Sequence, residues 1–500
     1  ICLRILSFPF GFITILSLFA TFLVVNLVEW VKMTCGDVSF SIILLQLTSP
    51  IKGTDSGIIN SIIKTAVVPP VLLAVAAVLC YLFIVRGMYA LEDLPVKKIP
   101  RWSKICIEVV MVVFFLHTVQ VQGTEIGMWD YIQSVRESSD FYEKEYVNPA
   151  KVKMTFPKEK KNLIYIFMES MESSYADKED GGTMDDNYIP NLTKLARENV
   201  QFTDKKDGKV GGPVCLEATA YTAGGLVAQT SAINLKVMNS GAVSDSFLPN
   251  LTALGDILNK QGYNQMFLCG SDGDFAGRDA YFKTHKDYQI EDYKAAIKEG
   301  DIPKDYKVYW GHEDKVLYER AKKNLKKLSK EGKPFNLTML TVDTHFPNGY
   351  ICDLCENKYD TTYGNAVACA DRQVYDFVQW IKKQDFYEDT TIIIAGDHTS
   401  MVDTGSKFWK SLSNDYQRTV YNAIINPQCA YKKKVTTKRK FSTMDMFPTT
   451  LAALGVEIDG NKLGLGTNLF SGEETLREEL GANYINKELK RNDKMYNQFY

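Results

Sequence analysis

Apolar positions are unevenly spread along this chain, and the unevenness divides it. Near the start, residues 5–28 and 65–85 are free of charge, and residues 105–121 carry only Glu108. The first two have the roughly 20 apolar residues that cross a bilayer as a helix; the third is shorter. The pattern predicts three transmembrane helices within residues 1–122, a membrane anchor. The first run is too long for a cleaved leader, and the chain starts at Ile1 without Met, so the expectation is an incomplete N-terminus with earlier spans missing. Loop charge sets the orientation. The loop between the second and third spans holds Arg86, Lys97, Lys98, Arg101 and Lys104; the longer loop between the first two holds only Lys32, Lys52 and Lys64. The 86–104 loop is therefore expected in the cytoplasm, and everything after about residue 122 outside the membrane.

Residues 123–160 read as a connector of helix and loop, charged and carrying Pro149 and Pro157. From Asn162 the pattern changes to short apolar runs separated by amphipathic segments. Residues 163–167, 265–269, 335–342, 390–395 and 420–426 read as strands, and residues 189–199, 248–261 and 315–330 as helices. Near-continuous apolar strands alternating with helices predict an α/β domain over 161–500, with a mostly parallel central sheet covered by helices. The stretch after Phe470, rich in Glu and Lys, reads as a helical tail or a solvated extension.

Net charge is −2, which gives no case for nucleic acid as a partner. Of the ten cysteines, Cys215, Cys269, Cys352, Cys355, Cys369 and Cys429 follow the spans. An exterior location permits disulfides. Cys352 and Cys355 form a C-x-x-C with no second pair to complete a zinc site. A local disulfide is the expectation, one that can involve Cys369; the sequence leaves the pairing open.

Several predicted strands end in polar chemistry: Met168-Glu169-Ser170, Asp343-Thr344-His345-Phe346-Pro347 and Gly396-Asp397-His398. Open α/β sheets bind ligands at the carboxyl ends of their strands. Asp beside His suits Mn, Mg or Zn, and these ends use two of only five histidines. A nucleophile candidate lies in the glycine-rich approach of residues 211–225, where a Thr at a helix start can turn its hydroxyl to a metal. Its plain alternative is an N-cap. A metal-held hydroxyl loses its proton more readily and becomes a nucleophile, and a helix N-terminus favours a phosphate.

Asn162-Leu-Ile-Tyr-Ile-Phe-Met-Glu169-Ser170, Ile189-Pro-Asn-Leu, Tyr221-Thr222-Ala-Gly-Gly-Leu-Val-Ala-Gln229, Phe275-Ala-Gly-Arg278-Asp279, Trp310-Gly311, Thr341-Val-Asp-Thr-His345-Phe-Pro347 and Gly396-Asp397-His398 occur in this order. Together they resemble the phosphoglycerol transferases of the lipoteichoic acid synthase type, in particular the branch that decorates osmoregulated periplasmic glucans. The resemblance covers residues 160 to about 470 and the layout of the anchor. It implies an alkaline-phosphatase/sulfatase-like fold, outside the bacterial cytoplasmic membrane on a multi-pass anchor. It implies a divalent metal, Mn or Mg ahead of Zn, with phosphatidylglycerol as lipid donor and a cell-envelope glycan or polyglycerolphosphate hydroxyl as acceptor. It places Thr222 as nucleophile, Glu169, Thr222, Asp397 and His398 as metal ligands, and Arg278 and His345 on the phosphoglycerol group. Two positions depart from the lipoteichoic synthases: Ala276 stands where they have Trp, and Tyr221 where they have Lys. Thr219 is a second, weaker nucleophile candidate.

The nearest rival is a phosphoethanolamine transferase, which shares fold, anchor, metal ligands and threonine. A formylglycine sulfatase needs Pro and Arg two and four places after its nucleophile, but Cys215 is followed by Leu216-Glu217-Ala218-Thr219. A two-zinc phosphatase needs a second ligand set, which His117, His285 and His312 do not supply. An inactive membrane-anchored binding protein would not keep Glu169, Thr222, Asp397 and His398 together.

Overall fold

The computed structural model describes residues 2–35, 40–41, 43–44, 56–90, 101–206, 208–236 and 246–500. They fall into two units, one within residues 1–40 and 54–132, the other within 41–53 and 133–500.

The first unit is helical: α1 (Cys2–Cys35), α2 (Val68–Ala90) and α3 (Arg101–Glu125). Phe12–Thr34, Gly57–Cys80 and Ile105–Glu125 are long and apolar enough to cross a membrane. Their apolar side chains face outward, among them Leu72, Leu79, Val110 and Leu116, which suits lipid better than water. Helical turns precede α2, an α-helix Ser56–Ile62 and a π-helical turn Ile63–Val67, and their polar residues Ser61 and Thr65 are hydrogen-bonded within the unit. The Thr65 hydroxyl donates to the Ser61 carbonyl at 2.7 Å, and Ser61 Oγ accepts from Trp30 Nε1 at 3.0 Å. Most of the basic loop that oriented the spans, residues 91–100, lies outside the described residues.

The second unit is built on six strands: β1 (Asn162–Met168), β2 (Asn264–Cys269), β3 (Tyr288–Glu291), β4 (Phe335–Leu340), β5 (Thr390–Gly396) and β6 (Asn422–Ile425). Their order is β3-β2-β4-β1-β5-β6, all parallel except β6, which runs antiparallel to β5. β4, β5 and β6 are buried along their whole length; β5 reads as a nearly continuous apolar run, whereas β4 alternates, and its buried Asn336 donates to Gln265 Oε1 and Tyr288 Oη. Helices α4 (Pro190–Glu198), α5 (Thr222–Ser231), α6 (Arg278–Thr284), α7 (Asp314–Leu328), α8 (Thr362–Ile381) and α9 (Met446–Ala453) belong to this unit.

The helix expected over 248–261 covers only Leu254–Lys260. Leu248 has a left-handed φ of 52° before Pro249, and Asp256 Oδ2 accepts from the Ala253 N–H at 2.9 Å, starting the helix there. The strand expected over 420–426 narrows to β6, because Val420 bridges Glu172 instead. The segment read as a connector is stitched into this unit: Ser138–Ser139 pairs with Asn492–Asp493, and Met154–Thr155 with Glu457–Ile458. The chain after Phe470 is folded, with short helices Leu476–Leu480 and Ala482–Lys490. Cys355 is bonded to Cys369 on α8, while Cys352 is a buried thiol whose Sγ lies 3.6 Å from that of Cys355.

Register brings chemistry to one edge. Met168 pairs with Gly396 and Phe167 with Leu340, so Glu169, Asp397 and Thr341 leave adjacent strands side by side. Helix α5 seats on this edge through Gly225, where an added Cβ would stand 2.2 Å from the Asp397 carbonyl oxygen. Gly225→Ala is expected to destabilise the protein by roughly 1–3 kcal/mol through overpacking, read as a lower denaturation midpoint in detergent; an unchanged midpoint would contradict this close approach.

Candidate active site

Four side chains meet at the strand ends. Thr222 is the first residue of α5, and every later residue of that helix is buried. Its hydroxyl does not cap the helix. Thr222 Oγ1 lies 3.1 Å from Glu169 Oε2 and 3.3 Å from His398 Nε2. His398 Nε2 is also 3.3 Å from Glu169 Oε1 and 3.5 Å from Asp397 Oδ2. Asp397 is held by the N–H groups of Ser170 and His398, both donating to Oδ1, which leaves the fully buried Oδ2 without a hydrogen-bond partner.

The backbone around these groups is braced. Glu169 N–H donates to Thr341 Oγ1 at 2.9 Å, and Thr344 Oγ1 donates to the Glu169 carbonyl at 2.5 Å. Ser170 Oγ donates to Glu169 Oε1 at 2.7 Å. Beyond His398, the Ser400 N–H donates to buried Glu172, which Arg418 pairs.

The donor set fits a divalent cation. With Nδ1 of His398 2.8 Å from the Thr399 carbonyl, its N–H is fixed there, and Nε2 turns a lone pair toward three oxygens. Acceptors facing acceptors need a proton or a cation between them. Donors held ~2.0–2.1 Å from one ion in a tetrahedron lie about 3.3–3.4 Å apart, close to the spacings here. Ionisation shows the same tension. Burial, with the Glu169 charge, pushes the Asp397 carboxyl up to about 8. Burial opposes a charged His398, yet the Asp397 and Glu169 carboxylates lift it to about 10. Burial also opposes a charged Glu169, but His398 and His345 hold it below the usual carboxylate range.

Beside the cluster, a cavity is lined by Glu169, Thr222, Arg278 and His345, with Ser271, Phe275, Ala276 and Trp310. Arg278 is 7% exposed. Its Nε donates to the Phe275 carbonyl, and its Nη2 to Ser271 Oγ and the Asp272 carbonyl. Among the described residues no carboxylate pairs with it, and none of these bonds uses Nη1. Burial lowers the His345 pKa, so the imidazole is neutral near pH 7; its Nδ1 lies 2.8 Å from the Phe346 carbonyl.

All six residues singled out in the sequence therefore sit at this place: Glu169, Thr222, Asp397 and His398 in the cluster, Arg278 and His345 in the cavity. Thr219 is fully buried and donates to the Leu216 carbonyl, away from the cavity lining. Phe275 and Trp310 stood in the ordered motifs without a role of their own, and Ser271 was not singled out; all three line the cavity. Ala276 gives this wall only a methyl group, and the indole in the lining is that of Trp310.

The sulfatase family model matches residues 161–456. Proteins named phosphoglycerol transferase I from Salmonella choleraesuis and Shigella flexneri are 33% identical over 340 residues, covering 66% of this chain and 41% of theirs. The chain thus spans about two fifths of the length of these relatives. The lipoteichoic acid synthase LtaP of Listeria monocytogenes superposes with a TM-score of 0.50 at 18% identity, over 64% of this chain and 79% of its own. The lipooligosaccharide phosphoethanolamine transferase A of Neisseria meningitidis gives 0.51 at 14%, over 88% and 83%. At such identities the likeness is one of fold.

Burial and the neighbouring charges raise the proton affinity of Asp397 and His398, so a cation competes with protons at both. Binding of Mn or Zn is expected to release protons and to strengthen as pH rises. Titration calorimetry in buffers of different ionisation enthalpy reads this directly; heat independent of the buffer would contradict it.

Proposed function

The chain belongs to the sulfatase family and is an enzyme, and from that premise we propose that it transfers phosphoglycerol from phosphatidylglycerol to an acceptor hydroxyl. The observation that carries this reading is Arg278: a buried guanidinium without a carboxylate partner, in one cavity with the Thr222 hydroxyl. Guanidinium matches a phosphate group, donating to two of its oxygens. A divalent cation at Glu169, Thr222, Asp397 and His398 would supply Lewis-acid polarisation and a lowered hydroxyl pKa; Mn or Mg is the proposed ion, and the imidazole nitrogen of His398 among the donors favours Mn over Mg, which prefers oxygen ligands.

The residues divide the work in two displacements. In the first, Thr222 Oγ1 attacks the phosphorus, its proton passing toward Glu169 Oε2, to which it already donates. The bond from phosphorus to the diacylglycerol oxygen breaks, and diacylglycerol leaves with a proton. A phosphoglyceryl-threonine remains, its charge facing Arg278. In the second, a hydroxyl of a cell-envelope glycan or a polyglycerolphosphate chain attacks the same phosphorus and frees Thr222. Neutral His345 orients the glycerol through its ring nitrogen.

The rival donor, an ethanolamine lipid, would bring an ammonium beside Arg278, a like charge in a buried place. Glycerol brings no charge. The three apolar helices, the sparse Lys and Arg between the first two spans, and the Cys355–Cys369 disulfide support a multi-pass protein of a bacterial cytoplasmic membrane with its catalytic domain outside.

The test uses the full chain in detergent with Mn and head-group-labelled phosphatidylglycerol. Wild type is expected to release diacylglycerol and to show a phosphoglyceryl adduct by intact mass; Thr222→Ala is expected to do neither. Arg278→Lys keeps the charge but loses the fork, and is expected to lower kcat/KM about 10²–10³-fold. Turnover of phosphatidylethanolamine but not phosphatidylglycerol would transfer the assignment to the rival.

A further inference from the structure

The cavity contains a donor that the two displacements leave unused. Trp310 is 7% exposed and lines the cavity with Arg278, His345 and Thr222, and its indole Nε1–H, itself buried, has no acceptor among the described residues. Buried N–H groups are rarely left unpaired, because each has given up its water.

The indole is rigidly presented. Val308 and Gly311 exchange two backbone hydrogen bonds of 2.9 Å, closing a tight turn with Tyr309 at φ 52° and Trp310 at its tip. The turn docks on the neighbouring chain through the Gly311–Ser271 bridge and the His312 N–H to the Gly270 carbonyl, 2.8 Å. Tyr309 Oη donates to the His345 carbonyl at 2.5 Å. The Trp310 ring itself lies against Phe275, centroids 5.4 Å apart, and His345, 4.7 Å. A ring fixed on both sides with its one polar atom unsatisfied is arranged for a ligand.

We propose that Trp310 is a specificity residue whose Nε1–H donates to a hydroxyl oxygen of the donor's headgroup, selecting a neutral polyol over an ammonium. This rests on the phosphoglycerol reading above. An indole N–H only donates. An ammonium has no lone pair to receive it and would leave the donor unpaired; a glycerol hydroxyl accepts it and can donate in turn to its own neighbours. Sites that hydrogen-bond a substrate hydroxyl reject analogues lacking it more strongly than apolar walls discriminate by size.

Trp310→Phe keeps a ring between Phe275 and His345 and removes only the N–H. The full chain in detergent with Mn is compared on phosphatidylglycerol and on phosphatidylpropanol, whose headgroup has no free hydroxyl. Trp310→Phe is expected to lower kcat/KM about 5- to 10-fold on phosphatidylglycerol and to leave phosphatidylpropanol unchanged, so that the preference between the two lipids narrows. Competition gives a second measurement: glycerol 1-phosphate should inhibit wild type better than propyl phosphate, and the two should converge in Trp310→Phe. Equal losses on both lipids, or no loss on phosphatidylglycerol, would overturn the role of Trp310 while leaving the donor assignment standing. Wild type inactive on both lipids would instead remove the phosphoglycerol reading and this role with it.

Discussion

The second unit is organised around one electrostatic constraint: three acidic or hydroxyl oxygens and one imidazole lone pair converge where water does not reach. Glu169, Asp397 and His398 are almost fully buried, and the Asp397 Oδ2 has no hydrogen-bond partner. Such a cluster is unfavourable by itself, since like charges and desolvation reinforce each other. It persists because the scaffold leaves its members no room to separate, and a divalent charge at their centre would turn the repulsion into coordination.

That scaffold is simple to state. Parallel pairing sets Glu169 beside Asp397 with no loop to absorb error, because both are the first residues beyond a paired couple, Met168 and Gly396. Gly396 has no room for a Cβ, which would meet the Met171 carbonyl oxygen at 2.0 Å, and Gly225 is as tightly placed against Asp397. Two glycines therefore let a helix and a turn press onto the same strand end. Thr222 reaches the cluster because α5 cannot sit further away without opening that contact. Backbone packing, rather than side-chain flexibility, fixes the distances on which metal binding depends.

This explains what the sequence made legible. Buried parallel strands are rich in apolar residues, so β1, β2, β4 and β5 stand out even where Asn336 and Thr338 interrupt β4, and a residue just past such a run is at the sheet's edge by construction. Glu169, Asp397 and His398 could be placed for that reason, and Thr222, Arg278 and His345 followed from the ordered resemblance. Other features were hidden because long-range contacts decide them. Helix α8 was overlooked although Tyr363, Val367, Ala370, Val374, Phe377 and Ile381 form an apolar stripe at helical spacing, because Asn365, Asp371 and Gln373 are buried among them. The helix at 254–260 was overextended because one Asp side chain, not hydropathy, sets its start. The pairing of Cys355 with Cys369 rather than Cys352 depends on where α8 packs. Trp310 stood in the ordered motifs without a role, and the one proposed for it turns on an unsatisfied N–H that no spacing reveals.

The charges in and beside the cavity favour a particular kind of substrate. A divalent cation with the Glu169 and Asp397 carboxylates is close to neutral, so Arg278 leaves the cavity with about one positive charge, opposite a single phosphodiester. A phosphodiester with a neutral headgroup cancels it; one with a cationic headgroup leaves a charge uncompensated in a place of low dielectric. In the proposed reaction the same balance would persist after the first displacement, because phosphoglyceryl-threonine would again be a phosphodiester of one negative charge. The proposed donor and intermediate would thus present Arg278 with the same group, and one site would serve both without rearranging, as a two-step transfer through one hydroxyl requires.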